Sequence, residues 1–206
     1  MAKDYINSTY TVSKGQAIQE NSEHNEAITR LIAGFQNNPQ KYFAEAELQY
    51  ELYCILKSSK LINKSVLTND GISVSTVHPE YPSVDRVQLK AGKGYRVWFD
   101  LAVLNPDFVR SNDYRTVWAR NEHDAKSGTN NVLAAFEFKY FPVKRTHDLR
   151  SVEEDCLKLS LCKEIKDRYV LTFSNYEVEA SVVQGIDLGT ATLFWATPKS
   201  LYFREP

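Results

Sequence analysis

Three ionisable side chains stand in runs that otherwise read as buried strands. The run from Asn131 to Phe141 has the apolar density of a strand covered on both faces, yet it carries Glu137 and Lys139. Burying such charges is costly unless they are paired. An earlier run, Tyr95 to Leu104, holds a single carboxylate, Asp100. Strand alternation puts Glu137 and Lys139 on one face, about 7 Å apart, with Phe136 and Phe138 on the other. If the two strands are neighbours, Asp100, Glu137 and Lys139 converge. Two acidic oxygen donors and an amine can hold a hard divalent cation against a phosphate. The competing reading is a buried ion-pair network between two strands, because structural networks imitate sites.

The elements that must position these groups follow from periodicity. A first helix is expected over about residues 16–35, ending before Pro39 and polar enough to be an appendage. A second, about residues 42–57, places Leu48, Leu52, Ile55 and Leu56 on one face with Glu45 one turn earlier on the same face. Glu45 therefore points at the sheet, although an acid in a first turn also complements the helix dipole. Phe43, Ala46, Tyr50, Tyr53 and Cys54 form a second apolar stripe, read as core rather than as a base-stacking platform.

Strands are expected at residues 72–77, 86–89 and 95–104, the last two joined by a turn at Gly92 and Gly94. Between the first two, Pro79 and Pro82 are expected to end pairing, and His78 and Glu80 either line a cleft or belong to that turn. Residues 106–130 form a long polar stretch with Arg110, Arg115, Arg120 and Lys126, either a substrate-gripping loop or a solvated insertion. A helix over residues 148–166 carries Leu149, Val152, Cys156 and Leu159 on one face. Its Lys158 reads as a solvated lysine or as a phosphate contact. Two further strands cover residues 169–173 and 191–195.

The 206 residues suffice for a full core, and the formal net charge of −1 argues against nonspecific gripping of duplex nucleic acid as the main task. Cys54, Cys156 and Cys162 lack metal-ligand spacing and read as reduced core thiols. His24, His123 and His147 read as surface residues. No stretch has the apolar length of a signal peptide or membrane span, so a cytoplasmic location with no membrane partner is expected.

The element order and its charges resemble the PD-(D/E)xK nuclease superfamily over roughly residues 41–173. Asp100 stands where that family's metal-binding Asp ends the second core strand. Glu137-Phe138-Lys139 matches the (D/E)xK tripeptide, and Glu45 matches the acid of the first core helix. Phe99 replaces the proline of the family name, and the Asp100 to Glu137 interval is longer than a hairpin needs. A second copy, Glu164-Ile165-Lys166, falls at an expected helix end and is given no role. The resemblance implies an α/β restriction-endonuclease-like core (αβββαβ, a mixed central sheet flanked by helices) over residues 41–206, behind a helical extension at residues 1–40. It implies Mg²⁺, with Mn²⁺ able to substitute, bound by Asp100, Glu137 and the Phe138 carbonyl. Lys139 and Glu45 complete the catalytic set, and Glu80, Lys158, Arg115 and Arg120 contact substrate. The implied activity is hydrolysis of nucleic acid, DNA in the first instance, by a protein able to act as a homodimer. The alternative is a catalytically silent domain of this fold that binds protein or nucleic acid.

Overall fold

The computed structural model describes residues 10–13, 23–87, 95–118, 130–144 and 148–206. In chain order these form β1 (Tyr10–Ser13), α1 (Glu23–Asn37), a 3-10 turn (Pro39–Lys41), α2 (Glu45–Ser58), β2 (Ser65–Leu67), β3 (Ser73–Ser75), β4 (Val77–Val87) and β5 (Tyr95–Leu104). There follow α3 (Pro106–Ser111), α4 (Tyr114–Val117), β6 (Val132–Phe141), α5 (Leu149–Leu161), β7 (Ile165–Ser174), α6 (Ala180–Gln184), β8 (Thr192–Ala196) and β9 (Ser200–Arg204).

One mixed sheet runs in the order β1-β9-β8-β7-β6-β5-β4, while β2 and β3 pair separately. Strands β4, β5 and β6 are antiparallel neighbours. β6 and β7 are parallel, so the chain must cross over between them, and α5 makes that crossing. The expected α/β class with a mixed sheet flanked by helices is therefore present.

Two apolar layers sandwich the sheet. Ile28, Leu31, Phe35, Leu48 and Leu52 of α1 and α2 pack with Leu101, Phe136, Phe138 and Leu171 on one face. Val152, Cys156 and Leu159 of α5 pack with Ala102, Ala135, Val170 and Leu193 on the other. Alternation along β6 thus directs Phe136 and Phe138 to α1 and α2, and it carries Glu137 and Lys139 to the α5 face.

Four expectations change. Pairing does not stop at Pro79 and Pro82: β4 runs through both, because it is the sheet's outermost strand and a missing amide is tolerated at an edge. The N-terminal helix is no appendage, since Ile28, Leu31 and Phe35 are fully buried. Its first described residue is Glu23, so residues 16–22 of the expected span lie outside the described residues. α5 stops at Leu161, where Cys162 turns extended, and Ile165 already belongs to β7. The second Glu-x-Lys copy accordingly opens a strand, with Glu164 buried and accepting from the Ser83 hydroxyl at 2.5 Å. The polar stretch after Pro106 begins with two short helices capped by the side chains of Asn105 and Asp113.

Cys156 and Cys162 are buried thiols as expected, whereas Cys54 is exposed. The turn at Gly92 and Gly94 lies outside the described residues, as do Arg120, Lys126, His123 and His147.

Candidate active site

The site begins where two strands part. The β5–β6 register pairs Val103 with Ala134, Ala102 with Ala135 and Leu101 with Phe136. Two more steps would set Asp100 against Glu137 and then Phe99 against Phe138, but the ladder ends at Leu101. The Phe138 amide, deprived of a strand carbonyl, donates instead to Asp100 Oδ2 at 2.8 Å. On its other side β6 stays paired with β7 from Val132 to Phe141, so the charged strand is held while its neighbour peels away. A backbone donor must be satisfied somewhere, and here a carboxylate satisfies it.

Behind this fork, α5 supplies two more charges. Glu137 is 1 % exposed. Its Oε2 lies 2.5 Å from Lys158 Nζ, and its Oε1 has no hydrogen-bond partner among the described residues. Lys158 Nζ also lies 3.4 Å from Asp155 Oδ1 and donates to the Trp98 carbonyl at 3.4 Å. The other Asp155 oxygen, Oδ2, takes Lys139 Nζ at 2.8 Å. A chain of alternating charge, Lys139 to Asp155 to Lys158 to Glu137, therefore runs between β6 and α5.

The α2 side closes the site with Glu45, the first residue of that helix. Its carboxyl feels Lys139, Asp100 and Asp155 and meets the Tyr140 amide. One turn later the Gln49 amide donates to Glu80 Oε1 at 3.2 Å and to the Asp100 carbonyl. Glu80 holds a left-handed backbone, with φ of 48°, at the position facing Asp100 across β4 and β5. For a residue other than glycine such a conformation is strained and common near functional sites.

Four carboxylates (Glu45, Asp100, Glu137, Asp155) meet two ammoniums (Lys139, Lys158), so the fully ionised cluster carries two surplus negative charges. The proton affinities register that surplus. Burial pushes Glu137 well above the ordinary carboxylate value; Lys158 pulls it down, and Asp100 and Asp155 push it up again. Burial raises Asp100 against the downward pull of the Phe138 amide, and it raises Glu45 against Lys139. Burial alone would lower both lysines, but Asp155 beside Lys139 and Glu137 with Asp155 beside Lys158 raise them.

Hard oxygen donors, a twofold charge surplus and an orphaned buried oxygen fit a divalent cation better than any monovalent partner. Asp100 and Glu137 are carboxylates of this cluster that could serve as oxygen ligands. Among the described residues, no three His, Cys, Asp or Glu side chains are already grouped as a cation cage.

Asp100, Glu137, Lys139 and Glu45 are thus brought together, with Lys158 joining them as an ion-paired group rather than a solvated one. Glu80 sits at the rim. Arg115 is exposed on α4. His78 is enclosed against Trp118, with ring centroids 4.9 Å apart, and burial pulls its pKa to about 4. His24 is not a surface residue: its ring packs edge-on against Phe136, and Nδ1 is 3.9 Å from Asp167.

Two participants escaped the sequence reading. Asp155 lies one turn past Val152 and one turn before Leu159, on the buried face of α5, and an acid on an apolar face was the signal for it. Gln49 lies one turn beyond Glu45 on the same flank of α2. The aromatic stripe of α2 also departs from expectation: Phe43 is 81 % and Tyr50 67 % exposed, and Trp98 of β5 is 52 % exposed.

Compared with family models, curated proteins and solved structures, the chain finds no match. Among the described residues no helix is long and apolar enough to cross a membrane.

Proposed function

We propose that the chain is a metal-dependent nuclease of the restriction-endonuclease-like kind, hydrolysing phosphodiester bonds of nucleic acid, with DNA the first substrate to test. The observation that carries this reading is the fork between β5 and β6. There the Asp100 carboxylate caps the Phe138 amide, near the Lys139 ammonium and a buried Glu137 oxygen that has no hydrogen-bond partner among the described residues.

Asp100 and Glu137, with the Phe138 carbonyl between Glu137 and Lys139, are the cation-binding groups. Bound Mg²⁺ or Mn²⁺ would polarise the phosphate and acidify a coordinated water. Lys139, steered by Asp155, orients that water or offsets the charge growing on the phosphate oxygens. Burial raises the Glu45 carboxyl above its ordinary value against the pull of Lys139, and the group completes the acidic wall of the site or places a second ion. The exposed rings of Trp98 and Phe43 each lie two residues from a cluster member, Asp100 and Glu45 respectively, and Tyr50 is exposed farther along α2. They offer flat faces on which bases can stack.

The test is a cleavage panel of labelled single- and double-stranded DNA and RNA, with and without Mg²⁺. Cleavage by the wild type and its loss in Lys139→Ala and Asp100→Ala are expected. Wild-type rates in either variant would remove these residues from the mechanism.

A catalytically silent binding domain is the second reading, and the Lys158–Glu137 pair favours it because an ammonium already neutralises the buried acid. Calorimetry separates the two: the silent domain binds no Mn²⁺.

A further inference from the structure

Resting on the metal-dependent reading, we infer that the Lys158 ammonium is a resident counter-ion that competes with the divalent cation for Glu137 and passes to Asp155 when the cation binds. Glu137 is 1 % exposed, and a carboxylate so buried cannot remain charged without compensation. Lys158 supplies that compensation at 2.5 Å through Oε2, while Oε1 has no hydrogen-bond partner among the described residues. One acid oxygen is therefore paired and the other is not.

The alternative seat for the ammonium is already built. Asp155 Oδ1 stands 3.4 Å from Lys158 Nζ, near enough that a small displacement exchanges the two partners. Asp155 is fixed in turn, because its second oxygen holds Lys139. Lysine suits this exchange better than arginine would, being a compact point charge on a flexible four-carbon stem. After the shift both Glu137 oxygens are open to the cation, and both ammoniums rest on Asp155 at the edge of the site, where a phosphate's negative oxygens would meet them. The free protein is thereby kept folded by the same group that the cation must displace.

Mn²⁺ affinity measured by calorimetry tests this without reference to turnover. Lys158→Met is expected to tighten Mn²⁺ binding by about tenfold or more, and by more than Lys139→Met, which removes an equal charge not paired to Glu137. Lys158→Arg is expected to retain the competition. Equal gains in the two methionine variants, or no gain in Lys158→Met, would overturn the inference while leaving a metal-binding nuclease intact. Absence of Mn²⁺ binding in every variant would overturn both. Should Lys158→Met fail to fold by circular dichroism, lysine-selective ¹⁵N NMR of the wild type gives the answer. Adding Mg²⁺ is expected to shift the Lys158 ammonium resonance, and an unmoved resonance in the metal-loaded protein refutes the exchange.

Discussion

Asp155 Oδ2 holds Lys139 Nζ at 2.8 Å, although the two residues reach the site from different elements. The lysine's position is therefore set by α5 as much as by its own strand. Asp155→Asn is expected to lower kcat roughly ten- to hundredfold with little change in KM, the usual size of an effect exerted through an orienting neighbour. Steady-state kinetics on the best substrate of the cleavage panel checks the split. A change confined to KM would place Asp155 in substrate binding instead.

Asp100 caps the Phe138 amide and, in the proposed nuclease, also binds the cation; two substitutions separate these tasks. Asp100→Asn keeps an oxygen for the Phe138 amide, so stability near that of the wild type and no cleavage are expected. Asp100→Ala leaves the amide unsatisfied and is expected to cost about 1–3 kcal/mol in addition. Urea denaturation of the two variants measures the difference; equal stabilities would mean that the amide finds water.

Glu45, Asp100 and Glu137 all bind protons more tightly in the folded chain than ordinary carboxyls do. Between the unfolded values near 4 and the raised folded values, the native state holds more protons than the unfolded one, so stability falls as pH rises through that window. The contribution is complete below the unfolded pKa and gone above the folded one. Urea melts between about pH 4 and about pH 8 are expected to show a shallower decline in Glu137→Gln than in the wild type. Identical slopes would show that Glu137 keeps an ordinary pKa.

The duplicate tripeptide supplies an internal control. Glu164 is buried in the turn just before β7 and accepts from the Ser83 hydroxyl of β4. Glu164→Gln is expected to preserve cleavage where Glu137→Gln abolishes it, while Ser83→Ala costs about 1–3 kcal/mol of stability at unchanged activity. Loss of cleavage in Glu164→Gln, with fold retained, would contradict the assignment of the site to the β5–β6 fork.

How far the sequence exposes this arrangement differs from residue to residue. Glu137, Lys139 and Asp100 are legible because a charge inside an apolar strand contrasts with its neighbours. Glu45 is legible because helical phase ties it to Leu48 and Leu52. Asp155 is hidden among Glu153 and Glu154, where the run of acids masks the one that faces inward. Lys158 looks solvated because its carboxylate partner lies 21 positions earlier, and only the β6–α5 crossing brings them together. Prolines mislead at β4 because their effect depends on whether a strand is central or outermost, a property of topology rather than of the dipeptide. The limit of α5 is likewise set by the demand of β7 for Ile165, which no local propensity at Glu164 reveals.

The prolines of β4 bear on self-association. Residues 79 and 82 differ in parity along a strand whose outer side has no partner strand among the described residues, so at least one of the amides missing from it is missing from that outer side. A second molecule laid against that border would meet a broken row of donors, and the left-handed kink at Glu80 would spoil its registry further. Edge-to-edge pairing of two copies through β4 is accordingly disfavoured.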